Sequence, residues 1–187
     1  MTRRQSEIIL PIDCCRTSVM PARVAIVSDT HGELNPAIAQ IVSRCDFAVH
    51  AGDVGSVDVI DQLCPRAMPP IVVRGNNDVP EKWPPAQKSI LATLPLEATL
   101  DLPGGRLVVV HGHRAGRVNT RHQWLRRRFD DARIIVYGHS HHLCLDLEEM
   151  PWVVNPGAAG RARTFGGPSL LVLKAGARRW SIETIRV

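Results

Sequence analysis

Aspartate, asparagine and histidine residues recur in five short segments of this chain. In order, the segments read SDTHG, AGD, GNND, HGH and GHSHH. Carboxylate, carboxamide and imidazole groups suit manganese, iron, zinc, cobalt and nickel. None of the five segments contains cysteine, which argues against a structural zinc site. The residue types therefore predict a metal centre that performs chemistry.

Each segment also has a local interpretation when it is taken alone. Asp29 or Thr30 is suited to cap a helix, AGD and GNND are ordinary turn sequences, and HGH is compatible with a surface pair. The alternate histidines of GHSHH would point to one side of an extended segment. Six of the eight histidines fall in three of the segments, and this joint occurrence favours a shared site.

A short apolar run precedes each of the first three segments and is typical of a buried strand. Apolar spacing predicts helices over Leu34–Cys45 and Val57–Leu63, between these strands. The resulting β-α-β-α-β order favours a parallel sheet, in which sites collect at the carboxyl ends of the strands. The predicted strands are Val24–Val27, Phe47–His50 and Ile71–Val73.

The second half of the chain combines a hairpin with further strands. Alternating residues and a Pro-Gly-Gly turn in LEATLDLPGGRLVVVHGH predict the hairpin. A helix is predicted over Val118–Phe129. Further strands are predicted at Ile134–Tyr137, Leu143–Leu147, Trp152–Val154, Ser169–Leu173 and Trp180–Ile185. The chain therefore mixes βαβ units with antiparallel strands, and its predicted fold class is α/β (α+β).

The composition is that of a soluble globular protein. Its 187 residues, 44% hydrophobic and 22% charged, suit one domain. No segment approaches the ~18 consecutive apolar residues of a membrane span. A net charge of +5 leans only mildly toward anionic partners. The five cysteines form no CxxC pair, which favours reduced thiols and a cytoplasmic location.

The N-terminal segment is set apart from the rest of the chain. Pro11 and Asp13 interrupt its short apolar run before that run could serve as a signal sequence. We expect residues 1–20 to be a disordered extension, with a translation start at Met20 as the alternative. Residues 21–187 are expected to form a single domain.

The ordered pattern D-x-H, G-D, G-N-x-D, H-G-H and G-H-x-H resembles that of the calcineurin-like metallophosphoesterases. The resemblance extends over roughly residues 22–175. The chain length and the segment VVNPGAAGRAR look most like the small bacterial and archaeal phosphodiesterases, a group that also resembles the retromer subunit Vps29. The resemblance implies a four-layer αββα sandwich with a dinuclear metal site at one edge of its sheets.

The resemblance also implies ligands for two divalent ions, manganese foremost, with iron, nickel, cobalt or zinc as alternatives. Asp53 would bridge the two metals. The other ligands of the first metal would be Asp29, His31 and His141. Those of the second metal would be Asn76, His111 and His139. The positive charge of two divalent ions exceeds that of the two aspartates, so the site would attract a phosphate ester.

Residues around the ligands receive supporting roles. Asp78 would hydrogen-bond a ligand histidine and fix its tautomer. His113 would face the substrate, where it is a candidate proton donor. Arg161 and Arg163 follow NPGAAG and would bind phosphate, with ordinary surface arginines as the alternative.

Asn77 determines the substrate expected from the resemblance. The phosphomonoesterases and protein phosphatases of the family usually carry G-N-H-D, whose histidine helps to protonate the leaving group, whereas this chain reads GNND. Without a general acid, catalysis loses about 10²–10⁴-fold on poor leaving groups. Asn77 is therefore expected at the substrate, and diesters with good leaving groups are favoured.

The leading hypothesis is a phosphodiesterase that hydrolyses a small phosphate ester with a metal-bridging hydroxide, while Asn76 helps to stabilise the developing charge. The alternative is a catalytically silent, protein-binding scaffold of the Vps29 type. In such scaffolds the D-x-H histidine is lost, whereas His31 is present here. A nuclease would need a basic groove or an added domain. A homo-oligomer is compatible with the sequence.

Overall fold

Two five-stranded mixed sheets form the centre of the protein. The computed structural model describes residues 20–161 and 163–187, so the predicted extension lies outside the described residues except for Met20. The strands are β1 (Ala22–Val27), β2 (Phe47–His50), β3 (Ile71–Val72), β4 (Glu97–Leu102), β5 (Gly105–Val110), β6 (Ile134–Val136), β7 (Leu143–Asp146), β8 (Trp152–Pro156), β9 (Ser169–Ala175) and β10 (Trp180–Arg186). The strand order is β10-β9-β1-β2-β3 in one sheet and β4-β5-β6-β8-β7 in the other.

The strands that precede the five polar segments run in parallel within each sheet. β1 pairs with β2, which pairs with β3, and β5 pairs with β6, which pairs with β8. The remaining strands add antiparallel pairs around these parallel cores. Because parallel strands end at the same edge of a sheet, each sheet delivers its polar loops to one side.

The alternation of side chains along a strand divides β1 between two cores. Val24 and Ile26 pack between the two sheets, in a cluster that includes Leu107 of β5. Ala25 and Val27 belong to the cluster on the other face of the first sheet. The first sheet is therefore buried on both faces, which explains the continuous apolar run of β1.

Helices cover the outer face of each sheet. They are α1 (Pro36–Val42), α2 (Val57–Gln62), α3 (Lys88–Thr93) and α4 (Arg121–Arg128). Ile38, Val59 and Leu91 of α1, α2 and α3 join the outer cluster of the first sheet, and Leu125 of α4 packs on the second sheet. This layering confirms the predicted αββα sandwich. In the described part of the chain, no helix has the length and apolar character to cross a membrane.

Two helical segments differ from the prediction. The sequence does not predict α3 or the 3₁₀ turn Pro85–Gln87 before it, because α3 buries only Leu91 and one apolar position sets no helical period. The predicted helix Val118–Phe129 is a 3₁₀ turn, Val118–Thr120, followed by α4. The hairpin of β4 and β5 is confirmed.

Leu107→Ala should lower the free energy of unfolding by about 2–5 kcal/mol, because it leaves a cavity between the two sheets. Leu107 is fully buried there. Leu147→Ala is the matched control, since Leu147 is 37% exposed, and it should cost about 1 kcal/mol or less. Urea unfolding measures both effects, and equal losses would contradict a core between the sheets.

Candidate metal centre

Loops at the carboxyl ends of five strands bring together the seven predicted ligands. The loops after β1, β2 and β3 supply the ligands from the first sheet, which are Asp29, His31, Asp53 and Asn76. The loops after β5 and β6 supply those from the second sheet, which are His111, His139 and His141. Neither sheet alone holds the complete set, so the centre depends on the packing of one sheet against the other.

Asp29, His31 and His141 form the first group of ligands. Their ligand atoms all lie within 4.8 Å of one another. His141 Nε2 is 3.4 Å from Asp29 Oδ1 and 3.1 Å from His31 Nε2. The two imidazole rings are stacked with their centroids 5.0 Å apart. The structure thus groups the three residues that we expect at the first metal.

Asn76, His111 and His139 form the second group. Asn76 Oδ1 lies 3.0 Å from His111 Nε2 and 2.9 Å from His139 Nδ1. Asp53 stands between the two groups, with Oδ1 3.4 Å from His111 Nε2 and Oδ2 3.8 Å from His31 Nε2. Its two oxygens therefore face different groups, which is the placement that a bridging ligand requires.

Five of the ligands have a left-handed backbone conformation. The angle φ is 53° at Asp29, 50° at His31, 56° at Asp53, 68° at His139 and 59° at His141. Residues other than glycine rarely adopt this conformation, which costs of order 1–3 kcal/mol each. Backbone strain at these five ligands indicates that the loops are shaped to direct the ligand side chains to one place.

Close packing explains two glycines beside the ligands. A Cβ at Gly75 would overlap Asp53 Oδ1. A Cβ at Gly138 would overlap Ser28 Oγ and lie 2.8 Å from Asp29 Oδ2. Any side chain at either position would displace a carboxylate of the centre. This accounts for the glycine before the ligand residue in both GNND and GHSHH.

The two aspartates have opposite electrostatic environments. Burial raises the pKa of Asp29 to about 7, against the opposing charge of His111. Burial acts in the same direction on Asp53, but hydrogen bonds from His111 and Asn77 outweigh it and hold the pKa of Asp53 below its usual value. Asp53 is thus charged, and a bound cation would stabilise the charged form of Asp29.

Three of the ligand histidines are held in the neutral form that binds metals. Burial lowers the pKa of His31 and of His139. Burial, together with the nearby charge of Arg163, lowers the pKa of His141 to about 4. These rings therefore present a nitrogen lone pair at neutral pH.

His111 is oriented by a backbone carbonyl. Its Nδ1 lies 2.7 Å from the carbonyl oxygen of Ala51 and donates to it, so that Nε2 faces Asn76 and Asp53. Burial lowers the pKa of His111, but the hydrogen bond to Asp53 and the charges of Asp29 and Asp53 outweigh burial and raise it. The ring is therefore fixed toward Asp53.

The donor set fits divalent transition metals. Two carboxylates, one carboxamide and four imidazoles supply oxygen and nitrogen ligands that borderline cations accept. The grouping of the donors and the strained backbone beneath them agree with this chemistry. The centre is therefore a candidate site for divalent metal ions.

Asp78 has different partners from those predicted. Its carboxylate accepts hydrogen bonds of 2.8–3.1 Å from the backbone N–H groups of Val54, Gly55 and Gly75, and one of 3.0 Å from Trp83 Nε1. Because these donors converge on it, Asp78 makes no hydrogen bond to a ligand histidine among the described residues, and the predicted role is wrong. Asp78 instead fastens the loop after β2 to the turn after β3.

Asn77 is hydrogen-bonded to Asp53. Its backbone N–H donates to Asp53 Oδ1 at 2.8 Å and its side-chain Nδ2 donates to Asp53 Oδ2 at 2.6 Å. Lys82 Nζ donates to Asn77 Oδ1. Sequence reasoning misses Lys82, because this contact depends on a turn that Trp83 anchors to Asp78. An ammonium group thus lies beside the amide that replaces the histidine of G-N-H-D.

The two predicted phosphate-binding arginines are placed differently. Arg163 donates from Nη2 to His31 Nε2 at 3.2 Å and so lies at the centre. Arg161 instead pairs with Glu33 at 2.8 Å, with its side chain 78% exposed. Because Glu33 already neutralises its charge, the contacts of Arg161 give no support to a role in phosphate binding.

Buried polar residues support the ligand loops, and Asn155 is the one among them that sequence reasoning misses. Asn155 Nδ2 donates to the carbonyl of Gly138 at 2.7 Å and to Ser140 Oγ at 3.1 Å, which holds the GHSHH turn. In the loop after β1, Thr30 Oγ1 lies 2.9 Å from Nε2 of His50, the last residue of β2. An asparagine at the end of an apolar strand is the one signal in the sequence that points to Asn155.

His113 lies at the margin of the centre. Its ring centroid is 5.4 Å from that of His111 and 6.3 Å from that of His139. Burial lowers its pKa. Its Nδ1 is buried and finds no hydrogen-bond partner among the described residues. His113 is therefore an uncharged ring at neutral pH.

Comparison with known protein families and curated proteins agrees with this geometry. A model of the calcineurin-like phosphoesterase superfamily domain matches residues 22–178. A probable metallophosphoesterase from Methanothermobacter thermautotrophicus is 25% identical over 170 residues, which cover 87% of this chain and 91% of that protein.

Solved structures share the fold. A single mutant of Vps29 from Entamoeba histolytica has a TM-score of 0.67 and 18% identity, covering 88% of this chain and 98% of that one. A novel archaeal phosphodiesterase has a TM-score of 0.62 and 20% identity, covering 87% and 99%. Because the family model extends over most of the chain, the protein belongs to the calcineurin-like phosphoesterase superfamily.

Proposed function

We propose that this protein is a metal-dependent phosphodiesterase that acts on a small phosphate ester. The observation that carries the proposal is the pair of ligand groups on either side of Asp53, whose oxygens face His111 and His31. Membership of the superfamily supports phosphoesterase chemistry. The similarity in fold to an archaeal phosphodiesterase agrees with the finer assignment.

Two divalent cations, manganese foremost, are the cofactors that we propose. Asp53 would be shared between them. The remaining ligands of the first would be Asp29, His31 and His141. Those of the second would be Asn76, His111 and His139. When bound, such a pair activates water near neutral pH and neutralises charge on the phosphate oxygens.

Two cationic side chains at the margin of the centre would bind and orient the ester. Arg163 lies 3.2 Å from His31, and its planar guanidinium suits two phosphate oxygens. Lys82 lies beside Asn77 and adds a second positive charge. Together they attract an anionic substrate to the edge of the sheets.

Asn77 favours diesters over monoesters. Its side-chain amide is held by Asp53 and Lys82, and an amide does not transfer a proton to a leaving group. His113 is uncharged at neutral pH because its pKa is lowered. Esters with poor leaving groups depend most on proton donation, so diesters with good leaving groups are the better substrates.

The chelator-treated protein should bind about two equivalents of Mn²⁺, and His31→Ala about one, because His31 belongs to the first ligand group. His142→Ala is the matched control, since His142 follows His141 but stacks on Phe165 with the ring centroids 4.0 Å apart. Calorimetry counts the equivalents, and Mn²⁺ at 100 times its Kd should stabilise the fold by about 2.7 kcal/mol for each occupied site. One equivalent in both wild type and His31→Ala contradicts a dinuclear centre.

The protein loaded with Mn²⁺ should hydrolyse bis(4-nitrophenyl) phosphate faster than 4-nitrophenyl phosphate.

Asn76→Ala should lower kcat on the diester by about 10²–10³-fold, because it removes an oxygen from the centre. The exposed Asn119 provides the control, and Asn119→Ala should leave the rate unchanged. Release of 4-nitrophenol is the measurement. No hydrolysis by protein with metal bound would favour the scaffold instead.

Asn77→His should raise kcat/KM for phenyl phosphate, relative to that for the diester, by roughly tenfold or more, because a well-placed imidazole contributes about 10²–10⁴-fold by proton transfer. Asn77→Gln keeps an amide and serves as the control. Both ratios are measured on folded, metal-loaded protein. A ratio that stays the same in Asn77→His removes the basis for preferring diesters.

A further inference from the structure

A cavity of about 410 Å³ adjoins the metal centre beside the second sheet. It lies between the start of β4, the turn after β5 and helix α4. Its apolar walls are formed by Leu96, Val110, Ala115, Trp124 and Phe129. The Trp124 side chain is 39% exposed, so its indole is open to a ligand and is not part of the core.

The cavity borders the metal centre. His111, one of the ligand residues, lines it together with His113. A molecule in the cavity would therefore lie next to a phosphate at the centre.

The side chains around Trp124 suit a planar aromatic ring. The guanidinium carbon of Arg128 lies 6.0 Å from the centroid of the Trp124 ring and 5.1 Å from the centroid of the Phe129 ring. Planar rings stack on indole and on guanidinium groups. Arg128 Nη2 also donates to Glu97 at 3.0 Å, which places a hydrogen-bond donor and an acceptor at the cavity.

We propose that this cavity binds the base of a nucleotide whose phosphate lies at the metal centre. The inference rests on the proposed function for the phosphate and adds the chemical class of the group attached to it. A base has a flat face for Trp124 and Phe129, and an edge with donors and acceptors for Glu97 and Arg128. A hydrocarbon ring would use only the walls, and a sugar would use only the polar groups.

Adenosine 5′-monophosphate and ribose 5-phosphate test the assignment, because they differ only in the base. Calorimetry on the Mn²⁺-loaded protein should give a Kd roughly tenfold lower or more for the nucleotide, which is the range that one stacked base supplies. Phosphate release is followed in the same samples, so that turnover is separated from binding.

Trp124→Ala should bring the two Kd values to within about threefold of each other, because it removes the stacking surface. Val118→Ala is its control, because Val118 is 81% exposed and lies outside the cavity.

Arg128→Ala should weaken binding of the nucleotide, whereas Arg127→Ala, at the neighbouring position of α4, should not. Phenyl phosphate should also bind more tightly than ribose 5-phosphate, but by a smaller factor than the nucleotide does. Arg128→Ala should leave the Kd of phenyl phosphate unchanged.

Failure of this inference is separable from failure of the proposed function. Equal Kd values for the two ligands in a protein that hydrolyses diesters would overturn base binding alone. A preference for the nucleotide that Trp124→Ala removes would establish base binding even in a protein without diesterase activity. Phenyl phosphate that binds as tightly as the nucleotide would overturn the assignment to a base.

Discussion

The carboxylate of Asp53 is the point on which both halves of the metal centre depend. Its Oδ1 accepts the backbone N–H of Asn77 at 2.8 Å and lies 3.4 Å from His111 Nε2. Its Oδ2 accepts a hydrogen bond from Nδ2 of Asn77 and lies 3.8 Å from His31 Nε2. These partners follow three different strands and come from both sheets. One carboxylate therefore helps to fix how the sheets meet at this edge, and the space it occupies excludes a side chain at Gly75.

The centre is divided into a buried part and an accessible part. Asp29 is fully buried and His111 is 1% exposed, within the edge of the two cores. Asn76 and Lys82 are exposed, and Asn77 is half-buried. The buried groups fix where a cation is held, whereas the accessible groups face what arrives from solvent. The third position of GNND can therefore vary while the ligand positions are kept.

Sequence reasoning succeeds where local rules decide and fails where distant loops meet. The strands and the polar residues at their ends follow from apolar runs and chain order, and the fold and the grouping of the ligands agree with them. Asp78 is misassigned, because its partners are backbone N–H groups that no local pattern specifies, and the pairing of Arg161 with Glu33 is not predicted either. Asn155 is missed for the same reason, since its partners Gly138 and Ser140 lie in another loop. Lys82 is missed although Asn77 is only five residues away, because the turn that joins them depends on the hydrogen bond from Trp83 to Asp78.

The left-handed backbone at five ligands separates the stability of the fold from the presence of the centre. Glycine adopts that conformation without steric cost, so replacing such a residue with glycine relieves the strain in its own backbone. Under selection for the fold alone, drift toward losing ligands meets little thermodynamic resistance. A sandwich of this kind can then evolve into a binding protein, whereas this chain holds all seven donors.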